Sequence, residues 1–250
     1  MYPAIVIADV YKSSIREGRN LLTLSKNLRW NLDNISYKKY LNILISVILP
    51  VQNNENVIAD CLDNLLNQTY KCIEIIIIDN SSDDNTLKII DSYINNNYNI
   101  KVIKNNKVEN LNYCKNIGLD NSNGDFVIFY NTNIISNSNR LEIQLDNILK
   151  KGLLICSCNC YYNSNNLKIE KYCLDSLILN KFLFNKYRFS ADNEYESLDY
   201  LSLLKKMLQI DTIGSLEDLH KNNTLNNIYD NIDFSLYINK HTNNNILKDI

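Results

Sequence analysis

Ile73-Glu-Ile-Ile-Ile-Ile-Asp79-Asn-Ser-Ser82 decides how this chain is read: an apolar run that stops at an aspartate and a polar turn. Upstream, Ile45-Ser-Val-Ile-Leu-Pro-Val51 is a second such run. Downstream, Phe126-Val-Ile-Phe-Tyr-Asn131-Thr-Asn133 is a third. Short, non-alternating runs rich in Ile and Val suit strands buried on both faces. Between them lie segments of helical period. Val57, Ile58, Cys61, Leu62, Leu65 and Leu66 share one face of a predicted helix over 55–67. Leu87, Ile90 and Ile94 do so behind an Asp84 or Asn85 cap, and a third helix is predicted over 111–119. The alternation predicts an α/β fold, a Rossmann-like, mostly parallel sheet flanked by helices. In open α/β sheets ligands bind beyond the carboxyl ends of the strands, so the polar residues after each run are the candidates for chemistry.

Further boundaries follow from turn and breaker residues. The first strand is expected over 43–49, closed by Pro50, which has no N–H to give a ladder. Strands are expected at 73–78, 100–103 and 126–130. A helix over 138–151 places Leu141, Leu145, Ile148 and Leu149 inward, and a strand over 153–160 follows. Cys156, Cys158 and Cys160 alternate on that strand. Zinc sites usually draw cysteines from turns at other spacings, so packing is favoured over metal. A helix is predicted over 198–207, with Tyr229, Ile232, Phe234, Leu236 and Tyr237 as later apolar anchors and a loose tail near 243–245.

Composition narrows the function classes. The 250 residues suffice for one large domain with a core, and a net charge of -2 argues against a nucleic-acid surface. No apolar run approaches the ~20 residues of a membrane span. The N-terminus makes a poor secretion signal because Asp9 cuts its apolar run short. Seven cysteines, an odd number without small-domain spacing, fit reduced thiols in a cytoplasmic protein. In that compartment the sequons at Asn34, Asn80 and Asn222 carry no meaning. Asn, Ile, Lys and Tyr are used heavily and Gly and Pro sparingly, the bias an AT-rich genome imposes. An Asn at any one position therefore reflects codon drift as readily as chemistry.

The order and spacing of several motifs resemble glycosyltransferase family 2. These are Ser46-Val-Ile-Leu-Pro-Val-Gln-Asn-Asn-Glu55, Cys61-Leu-Asp-Asn-Leu-Leu-Asn-Gln-Thr-Tyr70, Ile76-Ile-Ile-Asp-Asn-Ser-Ser-Asp-Asp-Asn-Thr86, Cys114-Lys-Asn-Ile-Gly-Leu119 and Gly124-Asp-Phe-Val-Ile-Phe-Tyr130. The resemblance covers roughly residues 43–140. It implies the A-type glycosyltransferase fold, a nucleotide-sugar donor of the UDP class and transfer to the hydroxyl of a glycan, lipid or protein acceptor. It also implies a division into a helical extension (1–42), a nucleotide-sugar half (43–160) and an acceptor half with the C-terminal tail (161–250), with an acceptor-side helix within 174–189.

Residue by residue, the resemblance puts Asp79 on the base or ribose, the other reading being a capping or turn aspartate. Pro50, Val51 and Gln52 fall in the stretch that wraps the nucleotide, with Gln52 replacing a common aromatic. Glu55 matches a recurrent acidic position, or is a first-turn helix charge. Lys115 stands where an arginine usually faces the diphosphate; the bland reading is a solvated lysine. Asp199 aligns with the catalytic base, Leu198 having replaced its glutamate partner, and is otherwise an exposed N-terminal helix aspartate. His241 sits where some relatives carry a metal- or phosphate-facing histidine, though a lone histidine near a C-terminus is more often incidental.

The departure is Asn131-Thr132-Asn133-Ile134. The family holds Mn²⁺ or Mg²⁺ here with an Asp-x-Asp arrangement, and hard cations prefer charged oxygens. Asn131 and Asn133, with His241, are expected to bind such an ion weakly or not at all. Three readings stay open: a transferase that inverts the anomeric centre and works around a poor metal site, a degenerate relative that binds a nucleotide, a glycan or a protein, and a structural partner-binding module that keeps the fold alone.

Overall fold

The computed structural model describes residues 42–95, 99–151, 153–164, 167–171, 174–185, 188–190 and 229–239. The predicted helix over 198–207, the arm before residue 42, Asp199 and His241 lie outside them. Strands β1 (Ile45–Val51), β2 (Ile73–Asp79), β3 (Ile100–Lys104) and β4 (Phe126–Phe129) pair in parallel in the order β3-β2-β1-β4. Helices α1 (Ile58–Leu66), α2 (Thr86–Ile94) and α3 (Leu111–Asp120) connect them. Beyond β4 the sheet becomes mixed. β5 (Ile134–Ser136), α4 (Arg140–Lys151), β6 (Ile155–Ser164), β7 (Leu167–Lys171), β8 (Ile178–Asn180) and β9 (Tyr229–Asn239) extend it, with β8 antiparallel to β4 and β6, and β9 between β6 and β5.

Period-two alternation on strands covered from both sides gives two cores. Val47, Leu49, Ile75 and Ile77 face Ile58, Leu62 and Leu65 of α1, Ile90 of α2 and Leu145 and Ile148 of α4. Ile48, Ile76 and Ile78 face Cys114 and Leu119 of α3 together with Leu179, Phe184 and Phe189. Each fully buried aliphatic side chain contributes about 1.5–3 kcal/mol, and the isoleucine run of β2 is buried on both faces throughout. Cys156 and Cys158 lie in the first core. Among the described residues no helix is long and apolar enough to cross a membrane.

Two expectations need correction. β1 does not stop before Pro50: it runs to Val51, with Pro50 opposite Ile78. The reason is directional. The Ile48 carbonyl accepts Tyr130 N–H on the β4 side, at 2.9 Å, and the imide nitrogen two residues later faces that same side. β4 has ended at Phe129, so no ladder bond is lost there. The segment 174–189 shows no α-helix among its described residues. Short 3-10 turns at Leu174–Ser176 and Lys181–Phe184 flank β8, whose Ile178 and Leu179 are buried between β4 and β6. Sheet pairing on both sides outweighs local helical tendency. The Asn180 side chain accepts Phe182 N–H and turns the chain.

α3 packs against the sheet through Gly118. A Cβ there would lie 2.3 Å from Ile48 Cγ2 and 3.1 Å from Ile78 Cδ1. Gly118→Ala gains about 1 kcal/mol of helix propensity, but overpacking a closed interface costs about 1–3 kcal/mol, and a contact this short belongs at the upper end. The urea midpoint of the variant should fall below wild type. A midpoint that holds or rises would show that α3 can move off β1 freely.

Candidate functional site

The parallel register brings the ends of β1, β2 and β4 to one edge: Val51 lies opposite Asp79, and Ile48 opposite Phe129. Asp79 and Asn131 are therefore both at the carboxyl edge. The loops after β1 and β2 are laced together there. Asn80 N–H reaches the Val51 carbonyl at 2.8 Å. Asn53 N–H donates to Ser82 Oγ at 3.0 Å, and Asp83 N–H to Asn53 Oδ1 at 2.9 Å. Asn54 N–H meets Thr86 Oγ1 at 2.7 Å. Asn53 and Ser81 take left-handed backbone (φ 50 and 61), which short polar side chains tolerate better than most.

Within this lacing the acidic residues separate. Asp84 sits one residue before Asn85, the N-cap of α2: Oδ1 accepts Thr86 N–H at 2.8 Å and Oδ2 accepts Glu55 N–H at 3.0 Å. Burial alone would raise its pKa, but the Thr86 hydroxyl and these backbone donors outweigh burial and hold the group below its usual 3.8. Glu55 returns the contact, its Oε2 accepting Asn85 N–H at 3.0 Å and Asn85 Nδ2 at 2.9 Å. Asp79 is left outside this closed set. It is 2% exposed, yet the hydrogen bonds it receives among the described residues come from Ser82 N–H at 3.4 Å to each oxygen. Those are long contacts, and a buried carboxylate held this loosely is costly unless a ligand supplies N–H or O–H donors. Gln52 beside it is exposed.

The turn after β4 is built differently. Asn131 Oδ1 accepts Asn133 N–H at 3.0 Å, and Ile134 N–H donates to the Asn131 carbonyl at 3.0 Å. Ile134 is 1% exposed and belongs to the first core. The turn thus offers two neutral amides, one already engaged, and no carboxylate. It does not suit a hard divalent cation, which needs several charged oxygens. Among the described residues no group of three or more His, Cys, Asp or Glu could hold a metal.

A polar network underneath fixes the turn. Tyr130 O–H donates to Asn64 Oδ1 at 2.9 Å, and Gln68 Nε2 reaches Ser136 Oγ at 3.1 Å and the Asn137 carbonyl at 3.0 Å. The Arg140 guanidinium lies 5.7 Å from the Tyr130 ring centroid, with Nε on Gln144 Oε1 at 2.9 Å and Nη2 on the Asp175 carbonyl at 2.7 Å. Gln144 goes on to the carbonyls of Cys156 and Ser176. Burial raises the Tyr130 phenol, partly opposed by the nearby guanidinium. Asn64, Gln68 and Tyr130 lie within the motifs quoted above, where the motif reading gives them no role, and Arg140 and Gln144 are not named by it. The available signal was Arg140 and Gln144, four apart on the apolar face of α4.

Lys115 is 4% exposed, with Nζ 5.3 Å from the Phe189 centroid and 5.7 Å from that of Phe129. It is not a solvated lysine, and the geometry suits cation–π contact. Its neighbour Cys114 is pushed up to about 11 by burial, so it packs as a thiol. The face carrying Lys115 also grips the chain near Phe189: Asn116 pairs with the Phe189 N–H and carbonyl, and Asn112 donates to the Ser190 carbonyl.

A family model described as Glycosyl transferase family 2 matches residues 46–209. An "Uncharacterized glycosyltransferase" of Haemophilus influenzae is 31% identical over 129 residues, 50% of this chain and 52% of that protein. The Escherichia coli "UDP-Glc:alpha-D-GlcNAc-diphosphoundecaprenol beta-1,3-glucosyltransferase WfgD" is 26% identical over 181 residues, 65% and 70% of the two chains. Among solved structures, Staphylococcus aureus TarS (residues 1–349) in complex with UDP-GlcNAc superposes with a TM-score of 0.64 at 20% identity, over 80% of this chain and 60% of that one. The Pyrobaculum calidifontis mannosyltransferase PcManGT, in complex with GDP-Man and Mn2+, gives 0.57 at 14% identity, over 82% and 63%. The chain spans about half the length of the first of these relatives.

The Asp84 lacing yields a sign. Its folded pKa lies below the unfolded value of 3.8, so its stabilisation is present above that value and is lost as pH falls through the folded pKa. Asp84→Ala should lower stability by about 1 kcal/mol at pH 7, the net scale of a hydrogen bond lost. The gap to wild type should shrink below pH 3.8. Urea unfolding at pH 7 and pH 3 measures both, and a gap that stays constant would mean that the carboxylate charge is idle.

Proposed function

Because this chain belongs to glycosyl transferase family 2, we propose that it binds a nucleoside-diphosphate sugar at the carboxyl edge of β1, β2 and β4 and transfers the sugar, with inversion, to an acceptor hydroxyl. The observation that carries this reading is Asp79, a buried carboxylate at that edge whose contacts among the described residues are the long ones to Ser82. An anionic side chain repels a diphosphate, so Asp79 suits the N–H and O–H donors of the base and ribose. The diphosphate then lies further along, toward the turn at Asn131. A UDP-sugar is the donor of choice, supported by the name of WfgD and by TarS in complex with UDP-GlcNAc.

In this reading residues 43–160 form the nucleotide half, 161–250 the acceptor half and 1–42 an added arm. Pro50, Val51 and Gln52 border the nucleoside from the β1 side. Asp199 takes the proton from the acceptor hydroxyl as the anomeric carbon becomes oxocarbenium-like. Stabilising the departing diphosphate is then the large term. With neutral Asn131 and Asn133 in the turn, that charge must be met by cations elsewhere, of which Lys115 and Lys240 are the candidates. A second reading rests on a specific observation: Asn131 Oδ1 is committed to the turn and Ile134 to the core. The same fold would then serve as a nucleotide- or glycan-binding module without transfer.

Calorimetric titration of UDP and GDP, with Mn²⁺ and with chelator, tests the proposal. Wild type should bind UDP with equal affinity in both conditions. In Asn131→Asp with Asn133→Asp, two adjacent carboxylates repel without metal and ligate with it. UDP binding by this variant should become Mn²⁺-dependent, tighter by about ten-fold or more, roughly 1.4 kcal/mol. Equal affinities in every arm would place the turn away from the diphosphate. Strong Mn²⁺ dependence in wild type would restore a metal-assisted route, and no response to any nucleotide would remove the donor-binding reading.

A further inference from the structure

Asn80, next to Asp79, has no part in the site as described so far, and its surroundings are unusual for a loop asparagine. It is buried, and every polar atom of its side chain is engaged. Nδ2 donates to the Glu109 carbonyl at 2.8 Å, and Oδ1 accepts Glu109 N–H at 2.9 Å and Asn105 Nδ2 at 3.2 Å. The carboxamide thus pairs with both backbone groups of one residue, as a neighbouring strand would. The other end of that loop is fixed beside it. Asn105 N–H donates to the Asp79 carbonyl at 2.8 Å, and Ser81 Oγ to the Asn105 carbonyl at 3.0 Å. Residues 106–108, between the two anchors, are exposed. Asn110 then caps α3 by accepting Tyr113 N–H at 2.7 Å.

We propose that Asn80 is a positioning residue for nucleoside recognition: its side-chain amide holds residues 105–110 as a fixed wall beside the Asp79 carboxylate. The proposal rests on the reading that Asp79 takes the nucleoside. β3 pairs with β2 up to Lys104 opposite Asp79, so the loop leaves the sheet at the same edge and on the side away from the Asn131 turn. It borders the nucleoside end, and the diphosphate end lies across β1. Without the Asn80 pair, the loop keeps its Asn105 anchor but loses its register at Glu109. A base entering next to Asp79 must then order the loop before using it, and that ordering weakens binding.

The test compares Asn80→Ala with Asn116→Ala. Both remove a carboxamide that pairs with the N–H and carbonyl of one residue, at Glu109 and at Phe189 respectively. Both should lower the melting temperature. Only Asn80→Ala should weaken UDP, by about ten-fold, the scale of one or two net hydrogen bonds. It should weaken uridine by the same factor, since the wall bears on the nucleoside and not on the phosphates. The isosteric Asn80→Asp turns the Nδ2 donor into an oxygen facing the Glu109 carbonyl. It should weaken uridine as well, and it carries the test if the alanine variant does not fold. Wild-type affinity for uridine and UDP in both Asn80 variants, or an equal loss in Asn116→Ala, overturns the proposal. A wild type that binds neither ligand overturns the nucleotide reading beneath it.

Discussion

A side-chain carboxamide presents an N–H donor and a carbonyl acceptor side by side, so it can pair with the N–H and the carbonyl of a single residue. Among the described residues that pair occurs three times, where loops are held to the sheet. Asn64 takes Ser136 N–H at 3.0 Å and donates to its carbonyl at 2.8 Å, fixing the far leg of the turn at Asn131. Asn80 does the same to Glu109, and Asn116 to Phe189. Each joins positions 29 to 73 residues apart. The parallel strands depend on apolar burial, but the placement of what leaves their ends depends on these pairs. A buried amide whose donor and acceptor are both satisfied specifies a position at little net cost, whereas half a pair would be worse than none.

Burial by itself does not mark a working carboxylate, and β2 carries the comparison. Glu74 near its amino end and Asp79 at its carboxyl end are both buried. Glu74 is closed: Ser46 Oγ donates at 2.6 Å, Asn123 N–H at 2.5 Å and Asn123 Nδ2 at 3.2 Å. Gly124 N–H meets the same Ser46 hydroxyl, and a Cβ at Gly124 would sit 2.5 Å from it, so the turn before β4 is shut tightly over the carboxylate. Lys181 beside it has its pKa lowered by burial, with Glu74 opposing that shift. This amino edge is finished structure. Among the described residues the carboxyl edge gives Asp79 the long contacts to Ser82, so its carboxylate is the less satisfied of the two.

Sequence period predicted the strands and helices well because double-sided burial leaves a plain apolar signature, as in Ile75 to Ile78. The misjudged points were those where direction mattered more than identity. Pro50 looked like a terminator, yet its missing N–H points where β4 no longer runs. Residues 174–189 were expected to hold a helix, but β4 and β6 offer β8 partners that no local pattern announces. The solvated reading of Lys115 fails because Phe189, 74 positions away in the chain, lies near its ammonium. The abundance of asparagine hid the paired amides: against a compositional background, Asn64, Asn80 and Asn116 could not be told from drift until their partners were in place.

The shape of the turn at Asn131 does not depend on its charge. Its legs are held by Asn64, Gln68 and Tyr130 from below and by Ile134 in the core, and none of these contacts involves the Asn133 side chain. The Asn131 side-chain hydrogen bond seen among the described residues, Oδ1 accepting Asn133 N–H, would be made equally well by an aspartate. A carboxylate or an amide at these two positions therefore leaves the backbone in the same place. The fold can keep the geometry of a ligand site while exchanging its charge. The family resemblance of the scaffold and the chemistry of the turn are accordingly independent observations. Removing two negative charges relieves the repulsion that a metal-free pair of carboxylates exerts on a diphosphate. On the proposed donor-binding reading, asparagine at positions 131 and 133 would let an anionic donor approach the edge without a metal, provided that cations elsewhere along it meet the departing charge.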